Sequence, residues 1–205
     1  MITLNYFAML IIRKYIIYTL IIIVIAAIFT YVSIPIYKNI VTVRNDIWTS
    51  IPSAGDPKRS IYTRAYVSTH GLFALSKPES VYFSSEIDIE EAALDGSSCY
   101  VLSGTEIQSA SIIPRWWSLT VYNNDGYLVE STEKQYSYNS ENIIYNSNGE
   151  FEIYLAGKPS NNISNWLKTP SEELFSVILR VYQPGEEFFS NLSRVDLPII
   201  KKVSC

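Results

Sequence analysis

Between residues 15 and 37 the chain runs for 23 residues without a charge, in the stretch YIIYTLIIIVIAAIFTYVSIPIY. At about 1.5 Å per helical residue, such a run crosses a hydrocarbon layer of about 30 Å. It reads as one transmembrane helix behind a short tail at 1–14, and whatever folds in water must follow it. A cleaved signal peptide starts in the same way, with a short basic region ahead of an apolar core. This stretch exceeds the roughly 7 to 15 residues of such a core. Its paired small residues, Ala26 and Ala27, lie mid-span rather than at a boundary. The expectation is an uncleaved signal anchor; a start at Met9 would shorten the tail and keep the helix. Arg13 and Lys14 flank one side, Lys38 and Arg44 with Asp46 the other, so the positive-inside rule is nearly silent. A short tail, one anchor and a large domain predict a cytoplasmic tail with the domain outside.

Residues 38–205 carry 14 basic and 20 acidic side chains, a net charge of −6 over 168 residues. That length buries one core. Acidity without a Lys/Arg cluster excludes nucleic acid as a partner, because phosphates need counter-charge. It also gives no reason to expect a grip on anionic lipid beyond the anchor. Cys99 and Cys205 stand 106 positions apart, which provides neither metal-knuckle nor redox spacing. In an oxidising compartment they could pair, closing a loop worth about 4 to 5 kcal/mol in the chain-entropy model. Spacing alone leaves a disulfide and two thiols equally open.

Residues 38–55 have mixed polarity and read as a connector, with the domain from 56 to 205. Asp56 before Pro57 looks like a helix N-cap followed by a first helical position. A short helix through about Ser68 follows, with Ile61, Ala65 and Tyr62 facing inward. The pattern then turns to period two. In SVYFSSEIDIEE, Val81, Phe83, Ser85, Ile87 and Ile89 alternate with Tyr82, Ser84, Glu86, Asp88 and Glu90. CYVLSG, WWSLTVY, YLVE after the NNDG turn, ENIIYN, EFEIYLA, LFSVILRVY and DLPIIKKV complete the strands. The fold class is therefore all-β, an antiparallel jelly-roll-like sandwich behind a transmembrane helix and a short helix.

Chemistry is harder to place. Glu86, Asp88, Glu90 and Glu91 could gather calcium or hold a carboxylate pair for glycoside hydrolysis. Alternate strand positions lie roughly 7 Å apart, however, and no calcium loop is visible, so a solvated strand face is the better reading. His70 is the only histidine, and no G-x-S-x-G elbow accompanies it. Cys99 begins an apolar strand, which suits burial or a disulfide better than a nucleophile. No motif asks for a metal or cofactor. Arg115 and Arg180 sit on or beside strong strands, where a guanidinium can clamp a carboxylate or stack on a ring. Trp116 and Trp117 must point to opposite faces, so one of them belongs to the core.

The series DPKRSIYTRAYVSTHG, SVYFSSEIDIEEAALDGSSCYVLSG, PRWWSLTVYNNDGYLVE, FEIYLAG, NWLKTP, LRVYQP and LPIIKKVSC resembles the bacterial family called domain of unknown function 1214. The likeness spans about 56–205. It implies a jelly-roll-like fold, found either fused behind a second β domain or alone behind one membrane helix. Such short members look like companions of a separate envelope protein bearing that second domain, and the outward face of the membrane would then be the periplasm. The resemblance also implies a Cys99–Cys205 disulfide. It transfers no catalytic residue. Trp117, Asn165, Trp166 and Arg180 are its motif positions, with Asn165 read as a turn former and Trp166 as a core plug. Arg115, Trp117, Trp166 and Arg180 are thus the binding candidates. The leading expectation is a non-enzymatic structural or interaction protein of the envelope; the alternative is a ligand-binding or hydrolytic module for a saccharide or small carboxylate.

Overall fold

A computed structural model describes residues 2–70, 74–105 and 116–205. Helix α1 covers Ile2–Val41 and is apolar enough to cross a membrane over Ile11–Val41, none of which is buried by the protein itself. Pro35 sits inside α1 without ending it. The helix continues four residues past the uncharged run before the chain becomes extended.

Two short strands follow at once, β1 (Val43–Asn45) and β2 (Trp48–Ser50), in the stretch expected to be a connector. Strands of three residues leave almost no periodic trace, yet Trp48 is 1 % exposed and its Nε1 donates to the Pro198 carbonyl at 2.6 Å. Helix α2 spans Ile61–His70 and starts later than Asp56-Pro57 suggests. The Asp56 carboxylate instead accepts the Lys58 N–H in a turn, and the Ser60 hydroxyl caps the helix by accepting the Thr63 N–H at 3.2 Å. The inward face changes accordingly: Thr63 and Val67 are buried, whereas Ile61 is 76 % exposed.

The remaining elements are β3 (Ser80–Ser85), β4 (Cys99–Thr105), β5 (Trp116–Asn123), β6 (Ser137–Asn139), β7 (Glu150–Ala156), β8 (Asn165–Lys168), β9 (Phe175–Tyr182), α3 (Glu186–Ser190) and β10 (Ile199–Val203). They form a six-stranded sheet, β1-β2-β3-β9-β5-β6, and a four-stranded sheet, β10-β4-β7-β8. All pairs are antiparallel except β7 with β8, which run parallel. That pair corrects the expectation of a wholly antiparallel arrangement. YLVE forms no strand; it is tied by one bridge, Tyr122 to Leu128, after a turn in which Gly126 takes φ +80°.

The sheets pack face to face through one core. Phe175, Val177, Leu179 and Val181 of β9 lie buried at every second position, as period-two alternation dictates. Opposite them are Tyr100, Leu102, Phe151, Ile153, Leu155 and Ile200 of the smaller sheet. Trp117 stacks on Phe151 across the gap with ring centroids 5.4 Å apart, and Tyr100 meets Phe175 edge-on at 5.7 Å. Such aromatic pairs add about 0.5 to 1.5 kcal/mol each beyond their buried area.

The acidic ladder does not continue as a strand. β3 ends at Ser85, whose hydroxyl donates to the Ile47 carbonyl. Asp88 then turns inward, 1 % exposed, and accepts the N–H groups of Glu90 and Ala92, while Ile89 turns out at 43 %. A carboxylate that closes a tight turn is satisfied by backbone donors, so the apolar–acidic alternation inverts there.

Candidate functional site

The candidate residues that the structure describes do not converge. Trp117 points into the core at 3 % exposure and offers no face to a ligand. Trp166 is 7 % exposed on the far side of the smaller sheet, its Nε1 donating to the Ala156 carbonyl at 2.9 Å. Asn165 starts β8 rather than making a turn. It is a staple: Nδ2 donates to the carbonyls of Ile144 and Glu152, and Oδ1 accepts the Ile144 N–H. Both of its N–H donors and its carbonyl oxygen serve the fold. Arg115 lies outside the described residues, and so does the side chain of His70 at the end of α2. Among the described residues no group of three or more His, Cys, Asp or Glu side chains could hold a metal ion.

Arg180 is different. β9 is central in the larger sheet, between β3 and β5, and Arg180 lies on its outward face opposite Tyr82 and Ser118. The side chain is half-buried. Its Nη1 donates to Thr120 Oγ1 at 3.2 Å and its Nη2 to the Tyr122 hydroxyl at 2.7 Å. Its guanidinium carbon also stands 5.4 Å from the Tyr122 ring centre, a cation–π arrangement. Among the described residues no carboxylate pairs with it; Arg44 pairs with Glu91 at 2.8 Å elsewhere on the surface.

Around this cation the outward face is aromatic. Tyr182 follows Arg180 by two positions, and its ring meets that of Trp116 at 5.0 Å. Burial raises the Tyr182 phenol above its usual pKa, the Arg180 charge opposing that rise and Tyr82 and Tyr122 adding to it. The Tyr182 phenol therefore stays neutral at physiological pH and can both donate and accept. Trp116, Tyr82, Tyr122 and Tyr182 thus form a broad, partly exposed platform with a fixed positive charge at its centre. The three strands β3, β5 and β9 supply it by alternation, the same rule that sends Trp117 and Leu179 into the core. Of the sequence candidates among the described residues, Arg180 alone belongs here. Trp116 and the three tyrosines were legible only as outward-facing positions on β3, β5 and β9.

The platform lies on the outward face of the larger sheet. A gap lined by Ser50, Ile51, Pro52, Gly55, Leu75 and Tyr82 beside it has no room for a water molecule. Gly55 approaches Leu75 so closely there that a Cβ would fall 1.7 Å from its carbonyl oxygen. A surface of this form suits contact with another macromolecule or with a flat ligand lying across it, since small-molecule sites are concave.

Two packed sheets behind a long apolar helix define the class: a two-layer β domain with an N-terminal segment able to span a membrane. The chain belongs to the family described as "Protein of unknown function (DUF1214)", whose model matches residues 79–186. The match is narrower than the resemblance suggested and leaves out β1, β2, α2 and β10. In solved structures the fold is similar to the VPA0106 protein from Vibrio parahaemolyticus, at 23 % identity and a TM-score of 0.56 over 72 % of this chain and 36 % of that one. An uncharacterized protein from Burkholderia cenocepacia is 15 % identical over 69 % of this chain and 33 % of its own, with a TM-score of 0.45. The chain thus spans about a third of the solved chains it matches. No curated protein matches it.

Proposed function

We propose that this is a membrane-anchored envelope protein whose β domain lies in the periplasm and serves a structural or interaction role, docking a companion β-domain protein. Residues 1–14 remain cytoplasmic and 15–37 cross the bilayer. The observation that carries the interaction role is the Arg180 platform: aromatic rings and an arginine that no carboxylate among the described residues pairs with, spread over a sheet face. Tyr, Trp and Arg are the residues enriched where proteins bind one another. The compartment is supported by the Cys99–Cys205 disulfide, its Cα atoms 5.3 Å apart, because such bonds persist in oxidising surroundings.

A photoreactive residue at Tyr82 in living cells should give a discrete crosslinked adduct that Arg180→Glu abolishes. The same probe at Tyr127, exposed beyond β5, should give none. Equal labelling from both positions would remove the platform from the proposal. Thiol alkylation of intact cells tests the compartment: thiols blocked until reduction agree with a periplasmic disulfide, and freely reactive thiols do not. The same cation and rings favour a second reading, a module that binds or hydrolyses a saccharide or small carboxylate. Saturable binding of such a ligand by the full chain, lost in Arg180→Ala, would favour it over docking.

A further inference from the structure

We infer that the membrane-proximal end of the domain, led by α2, rests on the anionic headgroup layer of the bilayer that α1 crosses. The inference depends on the reading of α1 as a membrane span. Its first support is a division of charge hidden in the chain-wide balance. Residues 38–78 carry six basic and two acidic side chains, net +4, whereas 79–205 carry eight basic and eighteen acidic ones, net −10. The basic stretch ends where the family match begins.

Geometry supplies the second support. With 15–37 in the hydrocarbon, Tyr37 lies where tails give way to headgroups, the level at which tyrosine rings settle. The first turn of α2 is fastened to that residue: the Tyr37 hydroxyl lies 2.7 Å from Ser60 Oγ, accepts from Thr63 Oγ1 at 3.4 Å, and its ring meets Tyr62 at 5.3 Å. One residue on, Lys38 Nζ stands 5.5 Å over the Tyr66 ring. α2 is thereby held at headgroup depth.

What α2 presents there fits that layer. Ile61 is exposed, with Lys58 and Arg64 exposed beside it and Arg59 half-buried, one of its N–H groups bonded to the Ala54 carbonyl. An apolar side chain among cations is how interfacial helices enter a bilayer surface and hold its phosphates. Of the two acids in this stretch, Asp56 accepts the Lys58 N–H and Asp46 is exposed in the β1–β2 turn; of the cations, Arg44 is already paired with Glu91. The docking cations are the four at the end of α1 and around α2: Lys38, Lys58, Arg59 and Arg64.

The register supplies an internal control. Strand pairing through Thr49, Ser84, Ile178 and Thr120 puts Asn123, and the turn that carries Tyr127, at the end of the sheet away from α1. The full chain, its disulfide intact, would be labelled with an environment-sensitive fluorophore at Ile61→Cys or at Tyr127→Cys and reconstituted in phosphatidylcholine vesicles with or without phosphatidylglycerol. The label at 61 should be quenched several-fold more than that at 127 by quenchers carried on lipid, more strongly with phosphatidylglycerol. Lys58→Glu with Arg64→Glu should bring the two labels level while the chain still resists extraction by alkaline carbonate. Equal quenching in a carbonate-resistant chain would overturn the docking and leave the anchor standing. Strong quenching at 61 that ignores both phosphatidylglycerol and the charge reversal would overturn the anionic recognition. Release of the chain by carbonate would overturn the anchor, and this inference with it.

Discussion

The two sheets treat their outward faces in opposite ways. Behind the four-stranded sheet, Cys99, Tyr154, Ala156 and Trp166 form a second apolar cluster with Val101, Ile163 and Val203 packed on it, and the disulfide closes one end. That face is sealed by its own side chains. Behind the six-stranded sheet the outward residues include Trp116, Tyr122, Arg180, Tyr182 and Tyr82, all partly exposed, with Arg180 bonded to Tyr122 and Trp116 in ring contact with Tyr182. Each face has a tryptophan, yet one is buried with its N–H satisfied and the other half open. A sheet face that spends its apolar residues on itself is structural; one that leaves aromatic rings and a cation at the surface keeps binding capacity in reserve.

The largest expected break in this comparison comes from Trp166→Ala, which should cost about 3 to 5 kcal/mol in urea unfolding, the range for deleting a buried aromatic. Trp116→Ala should cost less than about 1 kcal/mol, as surface changes do. Similar losses at the two positions would erase the distinction between the faces. Next comes the bridge: Cys99→Ser with Cys205→Ser should destabilise by roughly 2 to 5 kcal/mol, visible as a Tm fall that reducing agent reproduces in the native chain. Smaller still, Arg180→Met should change stability by under about 1 kcal/mol while removing the crosslinks from Tyr82. A loss as great as that at Trp166 would make Arg180 a strut rather than a contact.

The finest probe is pH. The Tyr182 phenol titrates higher in the fold than in the unfolded chain, so the native state holds its proton longer. Its contribution is therefore complete below about pH 10 and is lost as pH rises through the folded value. Tyr182→Phe should flatten only that alkaline limb of the stability profile, measured against the native chain to cancel the other tyrosines. An unchanged limb would mean that burial on this face is too shallow to matter.

What the sequence disclosed followed from how many residues each signal averages over. β9 was legible because eight residues alternate without exception, and the opposed tryptophans of β5 followed from the same period. The disulfide came from the family resemblance, since spacing could not choose between a bridge and two thiols. β1 and β2 were missed because three residues carry no period. Asp88 was placed outside because a carboxylate satisfied by backbone N–H groups breaks the link between charge and exposure. The start of α2 went to Asp56-Pro57 when the cap was Ser60, two turn signals standing four residues apart. The parallel β7–β8 pair depends on the route of the chain between them, which no local pattern encodes. Of the platform, only Arg180 was singled out; its ring of tyrosines appears when β3, β9 and β5 are laid side by side. A chain-wide net charge likewise concealed the basic stretch next to the membrane.

The hairpin of β1 and β2 has a consequence for the order in which the molecule is made. Asn45 donates to the carbonyls of Leu192 and Val195, and Trp48 donates to that of Pro198, partners about 150 residues downstream. A ribosome adding about 5 to 20 residues per second takes roughly 7 to 30 s to reach them. Throughout that interval the hairpin waits beside the anchor with its tryptophan uncovered. The first part of the domain to emerge is thus among the last to be completed, and the finished sandwich closes back onto the place where it entered.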